Sequence, residues 1–380
     1  MTKLDELIQQ LCPDGVKYYT LNTICNVYDG THQTPQYTDS GIKFASVENI
    51  ADPYATEKYI SVSDYEKYKI KPQRNDLLMT RIGSIGVCTV IESDEPLAYY
   101  VSLALLRPDN SILNSRYLKY AIESLHCRKE LRKRTLVNAV PIKINMGDIG
   151  KITLPVPPLP VQREIVRILD NFTELTTELT AELTARKKQY EFYRDKLLDF
   201  AGNTDVKNVP LGDIAKFVYG YTDKAKETGS VRFVRITDIS EDGRLNPYDA
   251  KYVELTDESK KYLLKKGDLL LARTGATYGK TLYFEEDEPA VYASFLIKII
   301  LDNSVIKNRY YWHFSKSSLY WEQAERYVSK GGQQQFNTNA VSRVIVPIPS
   351  LEVQDRIIYV LDNFDAICTD LSSGLPAEIE

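Results

Sequence analysis

Leu154-Pro155-Val156-Pro157, followed by Val161-Gln162 and Leu169-Asp170-Asn171-Phe172, returns 192 positions later as Val346-Pro347-Ile348-Pro349, Val353-Gln354 and Leu361-Asp362-Asn363-Phe364. Upstream, Asp76-Leu77-Leu78-Met79-Thr80-Arg81-Ile82-Gly83 returns as Asp268-Leu269-Leu270-Leu271-Ala272-Arg273-Thr274-Gly275. Gly30 pairs with Gly220, Asp94-Glu95-Pro96 with Asp287-Glu288-Pro289, and Arg116-Tyr117 with Arg309-Tyr310. Self-similarity at a fixed period decides architecture first, and a period this long is a whole domain plus a connector. The 380 residues hold two such units comfortably. Two similar domains with different surface residues suit a protein that reads two different things at a set distance.

Each half carries the same order of elements. The first has β-type runs at 42–47, 76–80, 87–91 and 103–106, a helix over 115–134 and a closing strand over 149–156. The second has runs at 231–236, 268–272, 281–284 and 294–300, a helix over 308–328 and a strand over 341–348. Between them, 162–200 contains no Gly or Pro and predicts one helix, about 39 residues and roughly 58 Å long. Phe172, Leu175, Leu179, Leu183, Tyr190, Tyr193 and Leu197 form a near-heptad seam with Arg186 as the polar intruder. Such a seam needs a partner, and 354–371 repeats the opening of the same helix before an expected break at Ser372-Ser373-Gly374-Leu375-Pro376. The expected fold is two similar mixed α/β (α+β) domains separated by long antiparallel coiled-coil helices. Boundaries fall at 1–156, 157–204, 205–348 and 349–380. Within the first helix, Thr173-Glu174-Leu175-Thr176 recurs as Thr177-Glu178-Leu179-Thr180 and Ala181-Glu182-Leu183-Thr184. Each added unit would lengthen the helix by about 6 Å and turn its downstream part by about 40°.

Net charge is −4, with 43% apolar and 26% charged residues, as in ordinary globular proteins. No apolar run is long enough to span a bilayer, and the N-terminus lacks a signal-peptide pattern, so a cytoplasmic location is expected. Five scattered cysteines and three histidines argue against a metal site. Charge is nonetheless uneven. Residues 119–143 hold seven basic side chains against Glu123 and Glu130, and 307–343 hold six against Glu322 and Glu325. Such patches suit phosphate binding; a solvated helix face is the alternative.

No catalytic constellation emerges. Gly275-Ala276-Thr277-Tyr278-Gly279-Lys280-Thr281 imitates a phosphate-binding loop but has three residues between its glycines where four are needed. Its counterpart from Gly83 has no lysine. The recurring Arg-x-Gly reads instead as a tight loop after a strand, presenting Arg81 with Ser84 and Arg273 with Thr277 to phosphate or guanine. A salt-bridged arginine at a domain edge is the other reading. Polar loops of matching position but different sequence are where two readers should differ: Tyr28, His32 and Thr34 in one half, Tyr219, Tyr221 and Lys224 in the other. Lys330, Gln333, Gln334 and Asn337, matched by Lys143 and Asn145, suit adenine edges. Plain surface turns are the alternative throughout.

Pro158-Leu159-Pro160-Val161-Gln162-Arg163-Glu164-Ile165-Val166, Leu169-Asp170-Asn171-Phe172 and the block from Ala185 to Leu198 resemble the specificity subunit of type I restriction–modification enzymes. The tetrapeptide tandem is similar to the spacer repeat of that family. The resemblance covers the whole chain in layout. It implies two target recognition domains reading the halves of a split site in double-stranded DNA. It also implies helices that dock two methyltransferase subunits, with restriction/translocase subunits outside and no catalytic activity in the chain itself. Docking falls on Arg186, Lys187, Gln189, Tyr190, Tyr193 and Arg194. No cofactor is expected here; S-adenosylmethionine, ATP and Mg2+ belong to the partners. No counterpart of the 185–198 block comes after the second helix, so a truncated storage or decoy allele is one alternative reading, and an enzyme with an unrecognised site is another.

Overall fold

The computed structural model describes residues 2–329 and 334–379, the last ten of these by backbone alone. The chain forms two compact units, Met1–Leu175 and Thr176–Glu380.

In the first unit, strands Cys25–Asp29, Leu103–Pro108, Leu77–Thr80 and Cys88–Val90 form an antiparallel sheet in that order. A second sheet orders Tyr37–Thr38, Tyr59–Ile60, Ile42–Ala45 and Leu97–Tyr99, the last pair parallel. Strand Leu77–Thr80 is buried at all four positions because it is covered on both sides. Leu77 and Met79 face a helical cluster with Leu118, Ile122 and Leu131, whereas Leu78 faces Ala45, Leu97 and Tyr99. The second unit repeats this plan. Strands Ala215–Tyr219, Leu296–Leu301, Leu269–Ala272 and Thr281–Tyr283 form its main sheet, and Tyr252–Val253, Val231–Val234 and Ala290–Tyr292 its second. Leu269 and Leu271 face the helices, and Leu270 and Ala272 the other side. In each unit a proline-bounded strand, Thr153–Pro155 or Ile345–Ile348, closes the domain against a strand near its start.

The single basic helix expected in each half is two helices. Ser115–Glu123 and Leu125–Arg134 part at Ser124, and Asn308–Phe314 and Ser318–Tyr327 part around Ser317. Both serines are extended, and each hydroxyl accepts a hydrogen bond from the amide three residues on, 3.3 Å in both cases. Serine thereby caps a new helix where the periodicity alone continues the old one.

The long helix is continuous over 40 residues, Leu159–Leu198. Its start is bolted to the first unit by Gln162, which is fully buried. The Gln162 amide receives Asn114 N–H at 2.8 Å and donates to the carbonyls of Ile112 and Pro157. Gln354 makes the same three bonds in the second unit, to Lys307 N–H and the carbonyls of Val305 and Pro349. The repeated Val-Gln is thus a bracket that fixes a helix start to the domain preceding it.

In the second unit the tail of the long helix lies against the second long helix, Leu351–Ile379. Tyr193 stacks on Phe364 at 5.4 Å and 22°, while Lys187 and Arg186 approach Cys368, so the two run antiparallel. The seam is satisfied at Tyr190 and Leu197, beside buried Leu198, while Phe172 and Leu175 are half exposed. The second long helix also continues through the expected break. Pro376 stands in its last turn, where it gives up the bond to the carbonyl four residues back and few residues follow it.

Candidate nucleic-acid interface

Four segments meet at one end of each main sheet. In the first unit they are the end of Cys25–Asp29, the turn after Leu77–Thr80, the turn Tyr100–Ser102 and the returning segment Lys143-Ile144. Arg81 N–H donates to Ser102 O at 3.0 Å, Ile144 N–H to Arg81 O at 3.0 Å, and Gly83 N–H to Ile142 O at 2.9 Å. The second unit reproduces each bond. Arg273 N–H donates to Phe295 O at 3.1 Å, Phe336 N–H to Arg273 O at 2.7 Å, and Gly275 N–H to Gln334 O at 3.2 Å. A Cβ on Gly30 would lie 2.4 Å from Tyr100 O, and one on Gly220 2.3 Å from Ala293 O, which explains the glycine at both places. Gly83 and Gly275 adopt φ of +82° and +72°, a left-handed turn that L side chains resist.

The side chains in this common frame differ. Arg81 is 7% exposed, and its guanidinium donates to Asp29 Oδ1 at 3.1 Å, Val101 O at 2.8 Å and Ile144 O. Tyr219 stands where Asp29 would be, at the end of the matching strand. Arg273 accordingly has no carboxylate within 4 Å among the described residues. Its Nε donates to Ser294 O at 3.1 Å, and the guanidinium lies between the rings of Tyr219 (5.3 Å) and Phe295 (5.4 Å). A planar cation held between aromatic faces keeps its charge and part of its donor edge available.

Around Arg81, the strand-end Tyr28 ring lies 5.7 Å from the Arg107 guanidinium, and exposed His32 bonds Asp29 Oδ2 at 2.9 Å. Thr34, Ser84, Lys143 and Asn145 are exposed, with Lys143 bridged to Ile82 and Leu136. Around Arg273, the Tyr219 hydroxyl lies 3.2 Å from Thr338 Oγ1, and half-buried Tyr221 packs on Tyr262. Lys224 and Gln334 are exposed. Thr277 leans on Thr274 O in a short helical turn, not a phosphate cradle. Asn337 caps helix Thr338–Val341 by accepting from Ala340 N–H at 3.1 Å. Lys330 and Gln333 lie outside the described residues. Of the docking residues, Arg186 bonds Glu182 and Gln189 along its own helix, and Lys187 is exposed. Tyr190 and Arg194 are buried in the second unit.

The two basic stretches also part company. Lys133 and Arg134 pair with Glu130, but among the described residues Arg128, Lys129 and Arg132 have no carboxylate partner. In the second unit Lys307, Arg309 and Lys316 are paired with Asp355, Asp362 and Asp365 of the second long helix. The brace itself recurs, Arg116 pairing with Asp170 as Arg309 does with Asp362, whereas Arg128, Lys129 and Arg132 fall where the second unit has Trp321, Glu322 and Glu325. His313 completes that brace: Nε2–H donates to Asp362 Oδ1 at 2.8 Å and Nδ1 accepts from the Tyr190 hydroxyl at 3.2 Å, the tautomer fixed by the acceptor-only carboxylate. Burial lowers the His313 pKa to about 4, so this is a neutral imidazole at pH 7. In the first unit the Tyr120 hydroxyl donates to Asp170 Oδ1 at 2.7 Å, and Arg116 pairs with the same carboxylate. The exchange of Asp29 for Tyr219, and the second clamp ring from Phe295, escaped sequence reading; laying the halves over one another would have exposed the first.

Among the described residues no group of three or more His, Cys, Asp or Glu is placed to hold a metal, and no helix is long and apolar enough to cross a membrane. A tandem of matching α/β units, each with a long helix bolted to its exit and a variable loop cluster at one sheet end, defines a class of two-part recognition proteins. The chain matches the family described as the type I restriction modification DNA specificity domain twice, over residues 13–186 and 203–380, and it belongs to that family. It is a specificity subunit with two recognition domains, non-catalytic in its own right. A Haemophilus influenzae protein assigned as a type I restriction enzyme specificity subunit is 32% identical over 287 residues, 70% of this chain and 69% of the relative. The EcoR124I/EcoR124II specificity subunit of Escherichia coli is 31% identical over 60% of this chain and 59% of its own length. The crystal structure of the type I restriction-modification S subunit from M. genitalium shares the fold, with a TM-score of 0.61 at 15% identity over 96% of this chain and 93% of that one.

Proposed function

We propose that the chain reads a split target in double-stranded DNA, one half with each unit, and positions two methyltransferase subunits for adenine methylation, with restriction/translocase subunits added outside. The observation that carries this reading is one backbone frame built twice and furnished with different side chains. A protein that read the same bases twice would need no exchange of Asp29 for Tyr219 or of an apolar loop for a glutamine-rich one. Among the described residues, Arg128, Lys129 and Arg132 of the first unit have no carboxylate partner, as phosphate binding requires.

S-adenosylmethionine, ATP and Mg2+ act in the partner subunits on this reading, and the complex works in the cytoplasm. Arg186 and Lys187 are exposed on the long helix, with half-buried Gln189 accepting from Arg186, and suit partner docking. Tyr190, Tyr193 and Arg194 act one step back, holding that helix against the second unit. Mapping methylated adenine across the source genome, with and without the gene for this chain, tests the proposal. A split motif that disappears on deletion is the expected result; an unchanged methylation map overturns it.

A further inference from the structure

The segment Leu136-Val137-Asn138-Ala139-Val140-Pro141-Ile142 carries no charged residue, yet it stands in solvent. Val140 is 100% exposed, Val137 62%, Leu136 44% and Ile142 38%. Single exposed apolar residues are ordinary, but four in seven residues form a patch that marks a binding surface. The loop is also firmly based. Leu136 N–H donates to Lys143 O at 2.7 Å, Ala139 N–H to Leu136 O at 3.2 Å, and Ile142 O receives Gly83 N–H. Lys143 bridges both Leu136 and Ile82. It is an apolar tip on a hydrogen-bonded stem, set beside Arg81 and the left-handed turn at Gly83.

Positive charge flanks the tip along the chain, Lys133 and Arg134 being paired with Glu130 and Arg132 not. The helix leading into it ends in Arg132, Lys133 and Arg134, and Lys143 stands just after it. In the second unit the stem is rebuilt: Ser329 N–H donates to Gln335 O at 3.1 Å, and Gln335 bridges Thr274. The intervening sequence there, Lys330-Gly331-Gly332-Gln333-Gln334, is wholly polar. The same stem thus carries an apolar segment in one unit and a glutamine-containing one, exposed at Gln334, in the other.

Resting on the proposed DNA-reading function, we infer that Val137, Val140 and Ile142 are specificity-determining residues that read thymine C5-methyl groups in the major groove. The first half-site then contains A·T pairs recognised by apolar contact, whereas the second is read by hydrogen bonds. Duplex DNA is the occupant the surroundings favour: Arg132 and Lys143, without a carboxylate partner among the described residues, flank the apolar segment as phosphate contacts do, and thymine methyl is the apolar group of the groove floor.

The test is selection from a random duplex pool by the full chain assembled with methyltransferase subunits from its source, comparing wild type with Val137→Ser/Val140→Ser. These exposed positions leave the fold intact, which thermal unfolding verifies. Wild type should enrich two separated half-motifs. The variant should keep one half and the spacing and lose base preference at A·T positions of the other. Deoxyuridine for thymine in that half should weaken wild-type binding about fourfold per methyl, the scale of burying one such group, and leave the variant unchanged. Enrichment of the same two halves by the variant overturns the inference, as do equal loss at both halves, indifference to deoxyuridine, or a change only in the variant's solution mass. Failure of wild type to enrich any split motif would instead overturn the proposed function itself.

Discussion

Arg81 and Arg273 occupy the same backbone position, receive the same main-chain bonds, and do different work. Arg81 is paired with Asp29 and its donors are taken up by the domain; Arg273 lies beside the Tyr219 and Phe295 rings and keeps part of its donor edge available. One substitution at a strand end decides whether a cation at a shared position is mortar or reader. The braces show the same divergence. Tyr120 in one unit and His313 in the other sit against an aspartate of a long helix; Tyr120 also meets Thr173 of that same helix, whereas His313 reaches Tyr190 of the other. Duplication therefore kept the frame and released the side chains lining it.

The largest expected effect tests the shared frame. Gln162→Leu and Gln354→Leu each leave three buried backbone groups unpaired and should each cost their own unit about 3 kcal/mol, read by chemical denaturation. Unequal losses would break the equivalence of the two brackets.

Acid should separate the units. His313 has a folded pKa of about 4, below its unfolded value of about 6.5. Between those values the unfolded chain binds a proton that the folded one refuses, so stability falls as pH drops through the window. The loss approaches about 3 kcal/mol near pH 4. Burial pushes the Asp362 carboxyl up, but hydrogen bonds from His313 and Arg309 outweigh it and leave its pKa lowered, so its contribution is lost only below that range. In the first unit the acid-sensitive group is Glu164, held down to about 2 by hydrogen bonds from Arg167 and then Lys3; its contribution persists above pH 4.5 and fades towards 2. Hydrogen exchange followed by mass spectrometry should show the second unit loosening first, and His313→Gln should abolish that order.

A smaller effect separates the arginines. Arg81→Ala removes the buried cation from Asp29, which keeps Gly30 N–H and His32, and leaves two carbonyls without its bonds, and should cost the first unit about 2 kcal/mol. Arg273→Ala strands no carboxylate and should cost about 1 kcal/mol or less. Matching losses in denaturation midpoints would mean that both arginines are structural.

The frame was legible because it repeats. The β-type runs at 76–80 and 268–272 fold as the strands Leu77–Thr80 and Leu269–Ala272, and the absence of Gly and Pro over 162–200 announced the long helix. Ser124 and Ser317 hid their helix breaks because hydroxyl capping competes with a periodicity that runs straight through. The candidate loops were found by position, but which arginine is free depends on a contact between residues 52 positions apart in one unit and on two rings in the other. Basic residues likewise announce themselves in sequence, whereas their acidic partners on a distant helix, Asp355, Asp362 and Asp365, do not.

The central claim is that the two units read independently. Arg273→Ala in the assembled complex, with base preference measured at every position of the split target, tests it most directly. Relaxed preference confined to one half, with the other half and the spacing unchanged, is the predicted result. Equal relaxation of both halves would contradict two independent readers.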